Sequence, residues 1–379
     1  MKIFRLHFGL FFGSLFMLIG CAEITQTAEI TTFTPIPPIA TQVPTSTPEA
    51  SPSPSSTPQS PIIAAGNLDR LSVFASFGEG ELHRTIAFSP DGTVLASAGG
   101  NTEDFHIRLW EVPTGRLVHT LIGHSSIIWD ISFSADGRFF ASASGDGTAK
   151  VWDWKSGELL QALDFPGQAV SVSFSPDSQS FAIGGGIGWP DAAIWTYSVT
   201  TWERSMTLVE FWNIPDIAFS PNGQLIVGGG TSRNVRVWRA MDGAEQSILY
   251  HSGQVSSIAI SPDGSVVATG LCEASDANAQ CITGAVWLWD LQSGTLVKQL
   301  SNFPDLVEDV AFSQDGGQIF AGSRNGGLLI YSASTYEILL ATSVSGGNGI
   351  LAMSPDGRFL ATGGANGFIQ LWNVRLDES

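Results

Sequence analysis

The side chains with chemistry to offer are 3 cysteines, 6 histidines and 35 Asp and Glu set against 17 Lys and Arg. Cys272 and Cys281 flank an insertion from Leu271 to Gly284 and face each other across the mouth of a hairpin loop. In an oxidising compartment such a pair is expected to join as a disulfide, and closing so short a loop contributes about 2–3 kcal/mol. The spacing is not Cys-x-x-Cys, which argues against redox catalysis. The sequence holds no Gly-x-Ser-x-Gly elbow, no phosphate loop and no His-Glu-x-x-His. Its Asp-Gly pairs occur singly, without the alternating acids of a calcium loop. The histidines lack metal-ligand spacing, so neither a metal nor a cofactor is expected. Glycoside hydrolysis needs two carboxyls about 5–10 Å apart. Asp130, Asp309 and Glu308 are the acids placed to approach a common opening. Two of them converging in a concave pocket, with perturbed pKa values, would speak for an enzyme. Nothing in their spacing singles out a pair, and no catalytic residue is named.

What positions these groups is a repeat. Phe88-Ser89-Pro90-Asp91-Gly92 returns as Phe133-Ser134-Ala135-Asp136-Gly137, Phe174-Ser175-Pro176-Asp177-Ser178, Phe219-Ser220-Pro221-Asn222-Gly223, Ile260-Ser261-Pro262-Asp263-Gly264, Phe312-Ser313-Gln314-Asp315-Gly316 and Met353-Ser354-Pro355-Asp356-Gly357. The serines stand 45, 41, 45, 41, 52 and 41 residues apart, close to the ~40–45 residues of one propeller blade. Ser-Pro-Asp-Gly suits a type I turn between two apolar strands. A third strand ends on an aromatic at Trp110, Trp152, Trp195, Trp238, Trp289, Tyr331 and Trp372. Short strands of this kind are not stable as single hairpins and must stack radially. The fold class is therefore all-β: a seven-bladed β-propeller with four-stranded blades. The last repeat has room for three strands, and Leu71 to Phe77, with its alternating apolar residues, supplies the N-terminal strand that closes the last blade.

Blade 2 carries Gly123-His124 before its first strand, Ser142 on the second, Asp146-Gly147-Thr148 at the hairpin tip and Val151-Trp152-Asp153 on the third. This pattern resembles the WD-repeat (WD40) family. The resemblance implies that His124, Ser142, Asp146 and Trp152 form a hydrogen-bonded structural network inside the blade. It also implies a role as an interaction platform.

At the N-terminus, Lys2 and Arg5 precede an apolar run from Phe8 to Ile19, too short for a spanning helix and read as an export signal. Leu18-Ile19-Gly20-Cys21 resembles the cleavage box of bacterial lipoproteins, which implies lipidation of Cys21. The chain divides into a signal peptide at 1–20, a Thr/Ser/Pro-rich disordered tether at 21–68 and the propeller at 69–379. About forty tether residues would reach roughly 35 Å as a coil or about 120 Å in polyproline geometry.

A net charge of −18 without a basic patch excludes nucleic acid as a partner. Trp129, Trp189, Phe211 and Trp212 fall at loops or strand starts on the face carrying the blade connections, where exposed aromatics make the strongest interface contacts. The expected protein is a monomeric, non-catalytic scaffold for a protein or peptide ligand. It is expected outside the cytoplasmic membrane, attached through its lipid. A carbohydrate-binding or hydrolytic propeller and an envelope assembly factor are the alternatives.

Overall fold

The computed structural model describes residues 61–78, 82–100, 104–186, 192–209, 214–364 and 366–374. They form seven separate four-stranded antiparallel sheets. Blades 1 to 6 are continuous in sequence, at 83–121, 128–164, 169–209, 216–250, 255–303 and 307–343. Blade 7 takes three strands from 347–374 and its outermost from Leu71–Phe77, which pairs antiparallel with Ile369–Val374. One ladder thus joins the two ends of the ring. Among the described residues the only helix is a 3-10 turn, Ala65–Arg70. It seats Leu68, together with Ile63, against Phe320, Leu360 and Trp372. The packed chain consequently begins ahead of residue 69, inside the stretch assigned from composition to the tether, because these two apolar side chains are buried.

Each blade is too thin to bury both faces alone, and the core lies between blades. One apolar cluster fills every junction: Leu109 with Ile131, Val151 with Phe181, Ile194 with Trp238, Val237 with Trp287, Leu288 with Val310, Ile330 with Leu360, and Leu95 with Leu371. Burying each such side chain contributes about 1.5–3 kcal/mol, and a closed ring leaves no blade face uncovered.

The third-strand aromatics hold one register. Trp110 pairs with Leu95, Trp152 with Phe140, Trp238 with Ile226, Trp289 with Val267, Tyr331 with Ile319 and Trp372 with Leu360. Blade 3 differs from expectation. Tyr197, opposite Phe181, holds this place, and Trp195 sits two residues earlier opposite Ile183. The ladder counts from the turn, and the aromatic spacing alone does not reveal that offset.

The turns make a ring of their own. In all seven the serine hydroxyl donates to the Asp or Asn two residues on, at 2.6–2.7 Å. A Cβ on Gly137 would stand 3.4 Å from Pro90, and one on Gly223 3.8 Å from Pro176: the turn glycines lie over the proline of the preceding blade, except Gly357, which follows the turn with Gln314 and lies over Ile62. Blade 2 has Ala135 in place of that proline. The next turn replaces its glycine with Ser178, held at φ 57°, whose hydroxyl accepts the Asp136 amide at 3.1 Å. The left-handed strain at Ser178 is thus offset by a hydrogen bond between blades.

Candidate binding site at the channel mouth

The first strand of every blade turns an edge toward the central channel, and its amides need acceptors. Three residues before each turn Phe, Ile or Met stand Thr85, Asp130, Ser171, Asp216, Ser257, Asp309 and Ile350, in order around the ring. Most of these side chains reach across to the next blade. Asp130 Oδ2 accepts from Ser171 Oγ and from the Val172 amide, both at 2.9 Å. Ser171 Oγ accepts the Ile217 amide at 3.1 Å, and Asp216 Oδ2 accepts the Ile258 amide at 2.6 Å. Ser257 Oγ accepts the Val310 amide at 3.2 Å and donates to Asp309 Oδ1 at 2.9 Å. Asp309 Oδ2 accepts the Leu351 amide at 3.1 Å. The girdle breaks between blades 7 and 1, where Ile350 has nothing to offer. There Asn348 Nδ2 donates instead to the His83 carbonyl at 2.6 Å.

Burial governs the acidity of this girdle. It pushes the Asp130 carboxyl up to about 6 and that of Asp309 up to about 7, although their hydrogen bonds pull the other way. Asp216 rises well above the ordinary carboxylate range, through burial first and then the charge of Asp130. The three acids therefore hold fewer than three charges near neutral pH. Their oxygens serve the neighbouring strands, which makes them staples between blades.

Above the girdle the channel widens into a cavity of about 570 Å³, to which all seven blades contribute. Asp130 and Asp309 form part of its floor with Asp216, which sequence reasoning missed. Glu308 belongs to the rim and pairs with Arg324 Nη2 at 3.1 Å. Trp129, the second residue of the strand Ile128–Phe133, stands on the opposite wall with the Arg84 guanidinium 4.8 Å from its ring centroid. Trp189, Phe211 and Trp212 lie outside the described residues, as does Cys21.

Inside blade 2, His124 Nε2 meets Ser142 Oγ at 2.7 Å and its Nδ1 meets Asp146 Oδ2 at 2.8 Å. Trp152 Nε1 donates to the same Ser142 Oγ at 3.0 Å. With His124 neutral, protons run one way, from Trp152 to Ser142 to His124 to Asp146. Burial lowers the His124 pKa and keeps it neutral. Burial also raises the Asp146 carboxyl, but hydrogen bonds from His124 and Thr148 outweigh it and hold the group well below the ordinary range. The sequence brings these four residues together to tie two strands, the connection before the first strand and a hairpin tip, an arrangement for stability.

Five stretches of the chain, 81–111, 115–153, 207–239, 244–290 and 340–373, match the family model described as WD domain, G-beta repeat. The ring carries WD40 repeats. Among similar proteins, the serine-threonine kinase receptor-associated protein of Gallus gallus is 26% identical over 304 residues, covering 78% of this chain and 80% of its own length. The periodic tryptophan protein 2 homolog of Dictyostelium discoideum is 25% identical over 302 residues, 69% of this chain but 31% of its own length. An uncharacterized WD repeat-containing protein of Synechocystis sp. is 34% identical over 188 residues, 48% of this chain and 52% of its own. The chain spans under a third of the Dictyostelium protein and 15% of Jouberin from Rattus norvegicus.

The WD40 repeats depart from blade 2 in graded steps. In blade 5, His251 accepts directly from Trp289 Nε1 at 3.0 Å and meets Thr269 Oγ1 at 2.9 Å, while its Nδ1 donates to the Leu249 carbonyl. Burial takes this histidine down to about 4. In blades 1 and 7 the tryptophan still finds a hydroxyl, Ser97 at 2.9 Å and Thr362 at 2.8 Å. The repeat of blade 6 replaces the pattern with Phe303, at the end of the outer strand of blade 5, Ala321 and Tyr331. The insertion of the blade 5 repeat is an arm of two ten-residue strands, Val266–Ser275 and Cys281–Asp290, with Cys272 and Cys281 at disulfide-bonding distance across it.

Proposed function

We propose that this propeller is a non-catalytic, monomeric scaffold that binds a protein or peptide at the channel mouth. It is carried outside the cytoplasmic membrane by a lipid on Cys21. The observation that supports the binding site most is the cavity of about 570 Å³ with Trp129 and Arg84 on its wall. A concave opening that joins apolar surface to a few convergent polar groups is the form binding sites usually take. WD40 relatives favour an interaction role, and the Gallus gallus protein is named for association with a receptor. The lipid rests on Leu18-Ile19-Gly20-Cys21 and the tether composition.

Affinity capture after crosslinking in native cells, comparing wild type with Trp129→Ala, tests the site. Loss of a partner in the variant supports it, and an unchanged partner set removes it. Metabolic labelling with a fatty-acid probe tests the anchor. Label on wild type and none on Cys21→Ser is expected, and equal label on both refutes lipidation there.

A hydrolytic propeller is the second reading, favoured by the raised pKa values of Asp130 and Asp309. Against it, the oxygens of both acids already accept hydrogen bonds from the protein. Glycoside cleavage by wild type that disappears in Asp309→Asn would establish this second reading.

A further inference from the structure

Among the described residues the ionic groups around the mouth have partners, with one exception. Arg324 gives both Nε and Nη2 to Glu308, and the floor carboxyls accept from amides and hydroxyls of the neighbouring blades. Arg84 has neither an ion pair nor a hydrogen-bonded side-chain partner among the described residues, and its Nε is buried without an acceptor. In a chain with 35 acidic and 17 basic side chains, a guanidinium with no carboxylate partner among the described residues needs a reason. The reason on view is the indole beneath it. Trp129 holds the guanidinium carbon 4.8 Å from its ring centroid, and the acids nearest in the cavity have their oxygens committed elsewhere.

We propose that Arg84 is the anchor for a carboxylate of a bound peptide, a reading that rests on the scaffold function above. Contact with the indole positions a guanidinium whose N–H donors lack acceptors among the described residues, and a carboxylate matches that fork with two parallel hydrogen bonds. A cationic guest meets the opposite situation. The floor offers it acceptors already occupied by the protein and a charge reduced by burial, beside an arginine that repels it. The cavity holds about 570 Å³, room for several side chains, so the carboxylate would be one anchor within a longer contact.

The test is binding of the full chain to an array of hexapeptides built in matched pairs: Glu against Gln, Asp against Asn, and free against amidated C-termini. The acidic member of a pair is expected to bind about tenfold more tightly, the effect of one charged hydrogen-bonded contact. Discrimination at Glu/Gln and Asp/Asn assigns the carboxylate to a side chain, and at free/amidated pairs to the terminus. In Arg84→Gln the ratio should fall to about one, with an unfolding midpoint within a few degrees of wild type. Arg84→Lys should keep part of it. A preference for the uncharged member of the pairs, or a ratio untouched by Arg84→Gln, overturns the carboxylate anchor and leaves the scaffold standing if Trp129→Ala still weakens binding. Binding to no member of the array, or binding indifferent to Trp129→Ala, overturns both.

Discussion

Blades 2 and 6 solve the same packing problem with opposite chemistry. In blade 2 the His124 ring meets Trp152 with centroids 6.4 Å apart, and in blade 6 Tyr331 meets Phe303, the last residue of blade 5, at 6.2 Å. The rings hold equivalent places counted from their turns, yet one pair carries a relay through Ser142 to Asp146 and the other is apolar, facing Ala321. The Tyr331 hydroxyl is buried without a partner, and burial raises its pKa to about 12. The hairpin tips hardly notice: Asp146 Oδ1 accepts the Thr148 amide at 3.0 Å, and Asn325 Oδ1 the Gly327 amide at 3.1 Å. Shape is therefore the shared requirement of the two blades, and the relay is an addition to it.

The contrast can be broken from the apolar side first. Phe303→Ala should cost about 3–5 kcal/mol, since it opens a cavity between blades 5 and 6, read as a fall in the denaturant midpoint. A loss under about 1 kcal/mol would mean that the site collapses around the gap.

Acid sharpens it next. A histidine with a lowered folded pKa contributes stability that is whole above its unfolded value of 6.5 and is lost as pH falls toward the folded value. For His251, at about 4, that loss is on the order of 3 kcal/mol. Asp130 and Asp309 act with the opposite sign. Their raised values, about 6 and 7, make ionisation unfavourable in the fold, so stability rises as pH drops from 7 toward 4. His251→Phe, which imitates blade 6, should remove the histidine contribution and leave a protein that gains stability over this interval. An unchanged pH profile would contradict the assignment.

His124→Ala should cost about 1–3 kcal/mol, through the unmet bonds of Ser142 and Asp146. The smallest expected effect is a gain: Tyr331→Phe removes a buried hydroxyl without a partner and should stabilise by about 1 kcal/mol. A thermal midpoint lowered by that change would mean that the hydroxyl is bonded in solution.

Much of this architecture is legible in the sequence, because turns and third-strand aromatics repeat locally. Ser89-Pro90-Asp91-Gly92 and its relatives announce seven blades, and Leu71–Phe77 shows its alternation before its partner strand is known. His124, Ser142, Asp146 and Trp152 were visible through family likeness. What escaped depends on the neighbouring blade. The girdle from Thr85 to Ile350 sits at a fixed place in each repeat, but its use as a set of staples exists only once the ring closes. Asp216 was overlooked for that reason, and Glu308 was grouped with Asp130 and Asp309 although it points to the rim partner Arg324. The offset of Trp195, and the answer of Ser178 to Ala135, likewise need the ladder and the adjoining turn. Arg84 carries no sequence signal, since its importance is the lack of a carboxylate partner among the described residues.

The most direct test of the channel mouth is photocrosslinking in the native cells. A photoreactive phenylalanine analogue would be placed at position 129, and, in a second strain, at Met241, an exposed turn residue of blade 4 away from the mouth. The account predicts a discrete crosslinked polypeptide from position 129 and none from 241. Crosslinks from 241 alone, or the same species from both positions, would contradict a partner seated at the mouth.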